Sequence, residues 1–392
     1  MFFAPQMALP QVIIGQLVDM NTMQPVSYAH VYVDALNIGT ISNELGAFEI
    51  KITDQRRAYE VSISHISYDP ATIAVENDTV MQILLQGNAI HLQDVVVSNK
   101  GYNLASEAMG LLENAEPIYG RVFYRQTTLQ DTVPTEFIES FFHVAQSQQG
   151  IQKVAIEQAR FARKRIKDVA YFFFSNFSYL TTGFRVYANQ TRDLAFPFSL
   201  QYFDKYSFRV TKEYSKAGDN YVVVGFSPDQ MLENLDSVIS LSGSFTYNAS
   251  RKELIEYRSS IHHSLGADKI EFEGDAAVSV SDPVYNWIVG FACRNGVCSI
   301  SHILAEYTFR LSIDGPVQPV KVNSKAVFFE MNDKPHRKLR SPSPGTEGFD
   351  IFAKARYRPK YWRDNPIITR TPQEEAMISS FEKDNAFGTY FK

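Results

Sequence analysis

The residues with the sharpest chemical meaning are Cys293 and Cys298, in the run Cys293-Arg294-Asn295-Gly296-Val297-Cys298. Asn-Gly is the preferred centre of a two-residue type I′ hairpin turn, so Arg294 and Val297 would close it as a hydrogen-bonded pair. Cys293 and Cys298 then form the next pair out, a non-hydrogen-bonded one, with Cα atoms about 4.5 Å apart. That separation is within disulfide range, and an oxidising compartment would permit the bond. Two free thiols and a redox pair are the rival readings, although the CxxxxC spacing is not the CxxC of thioredoxin-type centres. With only 2 Cys in the chain, a disulfide-rich scaffold and a four-thiolate zinc site are excluded.

The other candidate groups do not assemble into a reaction centre along the sequence. The 8 His show no ligand pattern. His262 and His263 are adjacent, so in a strand they face opposite sides. His302 and Glu306 share a strand face but are too far apart for an obvious joint site. Asp19, Glu44 and Asp94 are loop carboxylates explained by turn chemistry. Glu271 and Glu273 lie on one strand face, whereas a glycosidase pair is drawn from distant segments. There is no HExxH, GxSxG, P-loop or dinucleotide glycine motif. The residues therefore predict no catalytic group, no cofactor and no metal, and an enzyme with a site built from distant segments is the catalytic alternative.

A third candidate is aromatic. Between Asp168 and Tyr187 stand Phe172, Phe173, Phe174, Phe177, Tyr179, Phe184 and Tyr187. One reading is core packing against a sheet. The other is the lining of an apolar pocket, with Phe172, Phe174, Phe177, Tyr179 and Phe184 as ligand-binding residues.

Composition says which elements must position these groups. The 392 residues are 45% apolar and 21% charged, ordinary for globular protein, with 29 Phe and 21 Tyr. Phe, Tyr and Val favour strands, so the chain leans towards β. A net charge of −5 argues against a nucleic-acid binder, which needs a basic face. The basic cluster Lys334, His336, Arg337, Lys338 and Arg340 sits among Pro and Ser and reads as a solvated linker. No apolar run approaches the ~20 residues that a membrane-spanning helix needs. The opening MFFAPQMALPQ is apolar and uncharged. It reads as the tail of a secretory signal, with a disordered N-terminus as the alternative and residues 1–10 set apart in either case.

From Gln11 to Ser98 short alternating strands follow one another: Val12–Val18, Ala29–Val33, Thr40–Ser42, Ala47–Ile52, Tyr59–Ser64, Thr72–Val75 and Val80–Leu85. Turn signals recur roughly every 8–15 residues, the rhythm of a β-sandwich. Asn43 suits a turn start and Gly46 can take positive φ at its end. Gly15-x-x-x-Asp19, Pro25-Val26-x-Tyr28-Ala29-x-Val31, Gly39-Thr40-x-Ser42-Asn43-x-x-Gly46-x-Phe48, Ser64-x-Ile66-x-Tyr68 and Leu92-x-Asp94-Val95-Val96-Val97 together carry a family likeness. This stretch resembles the carboxypeptidase regulatory-like domain, a seven-stranded prealbumin-like sandwich. Met23 and Ser67 stand where that pattern has Gly. The resemblance implies an exported protein of Bacteroidota-type cell envelopes and no peptidase activity.

In residues 99–331, Leu104, Ala105, Ala108, Met109, Leu111, Leu112, Ala115 and Ile118 recur at helical spacing. Strands then follow at Gly120–Thr128, Glu136–Val144, Val154–Ala162, Asp204–Tyr214, Asn220–Phe226, Leu241–Tyr247, Arg251–His262, Lys269–Phe272, Val278–Val280, Trp287–Phe291, Ser299–Leu311 and Val317–Phe329. With Phe123-Tyr124-Arg125, Gly243 to Asn248 and Leu254-Ile255, this order resembles the half-barrel of lipoprotein carriers (LolA/LolB-like). The resemblance implies a curved sheet around an apolar cavity for acyl chains. Residues 332–348 read as a linker. In the tail, 349–392, Thr371-Pro372-Gln373-Glu374 starts a helix over 372–384.

The expected architecture is thus mainly β: a seven-stranded prealbumin-like sandwich at 11–98, a larger antiparallel half-barrel of α+β type at 99–331, and a C-terminal helix. The expected function is a non-enzymatic exported protein, periplasmic or outer-membrane associated, binding a hydrophobic or lipid-like ligand in the half-barrel. The alternative is a scaffold that holds an envelope protein partner through the sandwich edge or the C-terminal helix.

Overall fold

The structure, a computed structural model, describes residues 11–52, 58–76, 79–87, 99–164, 185–189, 194–233, 239–263, 270–272, 278–294, 296–313, 315–332, 334–335, 337–340, 357–364 and 367–388. It divides into two compact units. The smaller takes in Met1–Ala89, Phe329–Met331 and Arg358–Ala376; the larger comprises Ile90–Phe328, Asn332–Tyr357 and Met377–Lys392.

The smaller unit is a sandwich of β1 (Gln11–Asp19), β2 (His30–Val33), β3 (Ile38–Ile41), β4 (Ala47–Ile52), β5 (Ala58–His65), β6 (Tyr68–Glu76) and β7 (Thr79–Leu85). One sheet runs in the order β4-β1-β7 and the other β3-β2-β5-β6. Strict alternation builds the core: Phe48, Ile50 and Ile52 from β4 meet Tyr59, Val61 and Ile63 from β5, with Ile13, Leu17, Val31 and Val33 between them. The β3–β4 turn is built by Asn43, whose Oδ1 accepts from the N–H groups of Leu45 and Ala47, both at 2.9 Å. Gly46 closes the turn at φ +73°, where a Cβ would strike the Leu17 carbonyl.

The C-terminal stretch of this unit is strapped to the same corner. Thr40 Oγ1 donates to the Ile367 carbonyl at 2.5 Å and Asn43 Nδ2 donates to the Thr369 carbonyl at 3.0 Å. Among the described residues the tail carries the helices α2 (Pro359–Asp364) and α3 (Pro372–Lys383). Trp362 of α2 is buried. A capping box starts α3: the Thr371 N–H donates to Glu374 Oε2 at 2.9 Å and the Glu374 N–H donates to Thr371 Oγ1 at 3.2 Å.

The larger unit opens with α1 (Lys100–Glu113) and continues through β8 (Ile118–Gln130), β9 (Val133–Ser147), β10 (Gly150–Arg163), β11 (Leu194–Ala195), β12 (Tyr206–Lys216), β13 (Asp219–Pro228), β14 (Ile239–Asn248), β15 (Glu253–His263), β16 (Ile270–Phe272), β17 (Val278–Arg294), β18 (Val297–Ile313) and β19 (Gln318–Asn332). Its strands run side by side in the order β12-β13-β14-β15-β17-β18-β19-β8-β9-β10. This is the curled antiparallel half-barrel. The core of this unit joins α1, through Leu104, Ala105, Ala108 and Leu112, to rings of β12–β15 and of the segment before β12. Tyr206 ties that segment to the sheet: its hydroxyl donates to the Ala195 carbonyl at 2.8 Å and accepts from the Leu241 N–H at 3.1 Å. The edge of β10 is occupied, since Val154 and Arg340 exchange backbone hydrogen bonds at 2.8 and 3.0 Å. Arg340, from the basic stretch read as a linker, is thereby held at its backbone.

One local reading differs from the structure. Val278–Val280 and Trp287–Phe291 belong to one strand, β17, and not two. The Asp282-Pro283 pair looks like a turn signal, but here it marks a register shift between Ser281 and Val284, with Asp282 at φ +51°. A bulge absorbs the residue that cannot donate to the ladder. Met23, in place of the glycine of the regulatory-like pattern, does adopt the left-handed conformation, at φ +57°. Replacing Met23 with Gly should therefore raise stability by about 1 kcal/mol, read as a shift in the denaturant midpoint of the sandwich transition. A lower midpoint would show that the Met23 side chain contributes more than its backbone costs.

Candidate functional site

β8 and β9 are buried on both faces along nearly their whole length. The run Thr135-Glu136-Phe137-Ile138-Glu139-Ser140-Phe141-Phe142 nevertheless places two carboxylates there. Being three apart in a strand, they point to opposite faces, and each has to find partners on its own side.

Glu139 lies directly between Arg125 on β8 and Arg160 on β10 in the ladder register. Arg125 Nε donates to Glu139 Oε1 at 2.7 Å, and Arg160 Nε donates to Glu139 Oε2 at 2.7 Å. All three side chains are 1–2% exposed. The guanidinium of Arg125 covers the Phe123 ring at 5.2 Å, and that of Arg160 lies 4.9 Å from the Phe387 ring and 5.5 Å from Phe137. Phe387 belongs to a small cluster with Phe137, Ala162, Met377, Ile378 and Phe381. The apolar face of the second half of α3 is therefore covered within this unit.

On the other face, Glu136 sits opposite Thr128 and Arg163. Arg163 Nε donates to Glu136 Oε2 at 3.1 Å, and Gln126 Nε2 donates to Glu136 Oε1 at 3.0 Å. Gln126 Oε1 in turn accepts from the Tyr124 hydroxyl at 2.5 Å, and Tyr124 is in the aromatic core. Burial pushes the Glu136 carboxyl above its ordinary value, against the pull of Arg163 and the hydrogen bonds from Gln126 and Thr128. A third group lies further along the first face. Arg121 forms a bidentate pair with Glu157 at 2.9 and 2.8 Å, and His143 Nε2 is 3.5 Å from the same carboxylate.

A second feature is aromatic. On β17 and β18 the rings of Trp287, Tyr285, Tyr307 and Phe309 stack in sequence, with centroid separations of 5.5, 3.8 and 4.6 Å. Across the sheet Phe226 stacks on Tyr257 at 5.4 Å, and Phe198 packs on Phe245 at 5.3 Å. Burial raises Tyr206, Tyr247 and Tyr257 far above the ordinary phenol value. These hydroxyls stay protonated, and two of them donate: Tyr206 to the Ala195 carbonyl and Tyr247 to the Glu107 carboxylate.

The residues singled out from sequence fare differently. Phe172, Phe174, Phe177, Tyr179 and Phe184 lie outside the described residues, and so do the side chains of His262, His263, Glu271 and Glu273. Tyr187, at the end of the same aromatic run, is in the core. His302 is buried against Gly290, whereas Glu306 pairs with Lys321 at 2.5 Å, so these two share no site. Cys293 stands opposite Cys298, with Arg294 opposite Val297, and the two sulfurs are bonded with Cα atoms 3.9 Å apart. The Glu253 carboxylate is within 4.8 Å of both sulfurs. Sulfurs joined in a disulfide offer no thiolate, so this trio is not a metal centre.

Against known proteins, residues 13–97 match the CarboxypepD_reg-like domain. No curated protein sequence matches the chain. Among solved structures, a LolA superfamily protein from Nitrosomonas europaea aligns over 60% of this chain and 94% of its own, at 12% identity and a TM-score of 0.24. A DUF1329 family protein from Desulfovibrio piger aligns over 64% and 95%, at 10% identity and a TM-score of 0.23. Residues 13–97 are a CarboxypepD_reg-like domain, and an antiparallel half-barrel accompanies it.

Two measurements separate the roles of the buried acids. Glu139→Leu leaves two buried guanidinium groups without their anion and should cost about 3–5 kcal/mol in chemical denaturation; a loss below ~1 kcal/mol would demote the triad to an ordinary surface-type pair. For Glu136 the sign follows from its raised pKa. The folded state holds the proton at pH values where the unfolded carboxyl, near 4.5, has lost it. This group's contribution is therefore fully present below that pH and declines as pH rises towards the folded value. Glu136→Gln should flatten that part of the stability–pH curve, and an unchanged curve would count against it.

Proposed function

We propose that this protein is a non-enzymatic, exported binding protein of the cell envelope that holds an apolar, lipid-like ligand in its half-barrel. The observation that carries this reading is the ring ladder Trp287–Tyr285–Tyr307–Phe309 on adjacent strands. Trp287, Tyr307 and Phe309 are buried in the core of the larger unit, so an acyl chain inserted among these rings would leave water at about 25 cal/mol per Å² of its apolar surface covered, without fixed polar contacts. The Cys293–Cys298 bond supports an oxidising compartment, as does the company of a CarboxypepD_reg-like domain.

The charged groups favour holding over chemistry. Glu136 and Glu139 direct their oxygens at Arg163, Gln126, Arg125 and Arg160. This arrangement binds strands together, and a proton-transfer site would need a group aimed at a substrate.

The test is organic extraction of protein purified without detergent, followed by mass spectrometry. One class of acyl-chain lipid at near-equimolar amount is expected. The chain has 2 Trp, so Trp362→Phe leaves Trp287 as the single reporter. Energy transfer from Trp287 to a fluorescent fatty acid should then saturate in the delipidated protein. An extract without lipid together with no energy transfer would overturn the reading.

A further inference from the structure

On β12, Tyr206, Phe208 and Val210 belong to the core. Ser207, Arg209 and Thr211 alternate with them and so stand on the opposite face. That face carries a groove of about 480 Å³ that runs over β12 and β13 to Gly243 on β14. Its wall is defined by ladder pairs: Ser207 faces Ser227, and Arg209 faces Gly225. Opposite the arginine there is thus no side chain. A Cβ placed on Gly225 would project to 3.0 Å from Thr211 Cγ2, into the floor of the groove.

The polar groups here are available. Arg209 is exposed and, among the described residues, no carboxylate pairs with it. The hydroxyls of Ser207 and Ser227 and the amide of Gln230 likewise have no hydrogen-bond partner among the described residues. The one acid in the lining, Asp229, turns Oδ1 to the Leu232 N–H at 2.8 Å, which draws its charge into the short helical turn that follows β13. The site therefore pairs one planar cation, suited to bidentate contact with a carboxylate, with short hydroxyl, amide and carboxylate groups suited to ligand hydroxyls. Its volume falls within the range of small-molecule sites.

We infer that this groove binds a small hydroxylated carboxylic acid of the sugar-acid class, its carboxylate on Arg209 and its ring over Gly225. This site is on the face opposite the aromatic core and is independent of the lipid reading.

The experiment titrates the full chain with D-glucuronate, D-glucose and inorganic phosphate by isothermal calorimetry, with ligand-observed NMR for weak binding. Glucuronate should bind, glucose should not, and phosphate should bind at least tenfold more weakly. Arg209→Ala, an exposed position expected to leave the melting curve unchanged, should weaken glucuronate at least tenfold. Gly225→Val should do the same by filling the floor. Phosphate binding as tight as glucuronate would show that the groove reads charge alone and would overturn the sugar-acid assignment. No glucuronate binding, or equal binding by wild type and Arg209→Ala, would overturn the site.

Discussion

The larger unit depends on how one carboxylate is satisfied. Glu139 sits at the middle of β9, in a part of the sheet buried on both faces. An isolated charge there would cost far more than a typical fold can offset. Arg125 and Arg160, its register neighbours on either side, remove that cost only if β8, β9 and β10 are aligned as they are. A slip of one residue would turn the arginines to the other face and strand all three groups. The triad thus adds registry to whatever it contributes in energy, and the use of Arg, with its forked donors, suits a buried carboxylate better than Lys would.

The consequences extend past the three strands. The Arg160 guanidinium lies on Phe387, and Phe387 packs with Phe137 and the apolar side of α3. Residues 377–387 are therefore organised around the same ion cluster. On the reverse face, Glu136, Arg163, Gln126 and Tyr124 form a polar chain that ends in the aromatic core. Charge is used here to align strands, and the rings of β12–β18 supply the apolar surface.

The smaller unit is organised differently. Its strands alternate cleanly, its core is made of ordinary aliphatic and aromatic side chains, and its specificity lies at one turn. Asn43 builds that turn with Oδ1 and, through Nδ2, receives the C-terminal strap. Met23 shows that the fold tolerates a left-handed non-glycine residue where the surrounding turn demands it. The turn is set by Asp19, whose Oδ1 accepts from the N–H groups of Asn21 and Thr22 at 2.7 and 2.8 Å.

What the sequence determined by itself was local. Period-two alternation exposed the sandwich strands, Asn43 and Gly46 marked their turn, Thr371 with Glu374 marked the start of α3, and Asn295-Gly296 placed Cys293 opposite Cys298. Each of these depends on residues a few positions apart, for which backbone geometry alone dictates the outcome. The charged clusters were not legible, although Arg125, Arg160 and Arg163 were all in view. Their partners are 14, 21 and 27 residues away, and which face each side chain occupies depends on the register shifts between Ile156 and Gln158 and between Thr128 and Leu129. One bulge residue reverses every later side chain on a strand, and a bulge is chosen by the neighbouring strands and not by its own sequence. For the same reason the groove of Arg209 was invisible: it exists because tertiary pairing sets a glycine opposite an arginine, and nothing in either strand alone foretells that meeting.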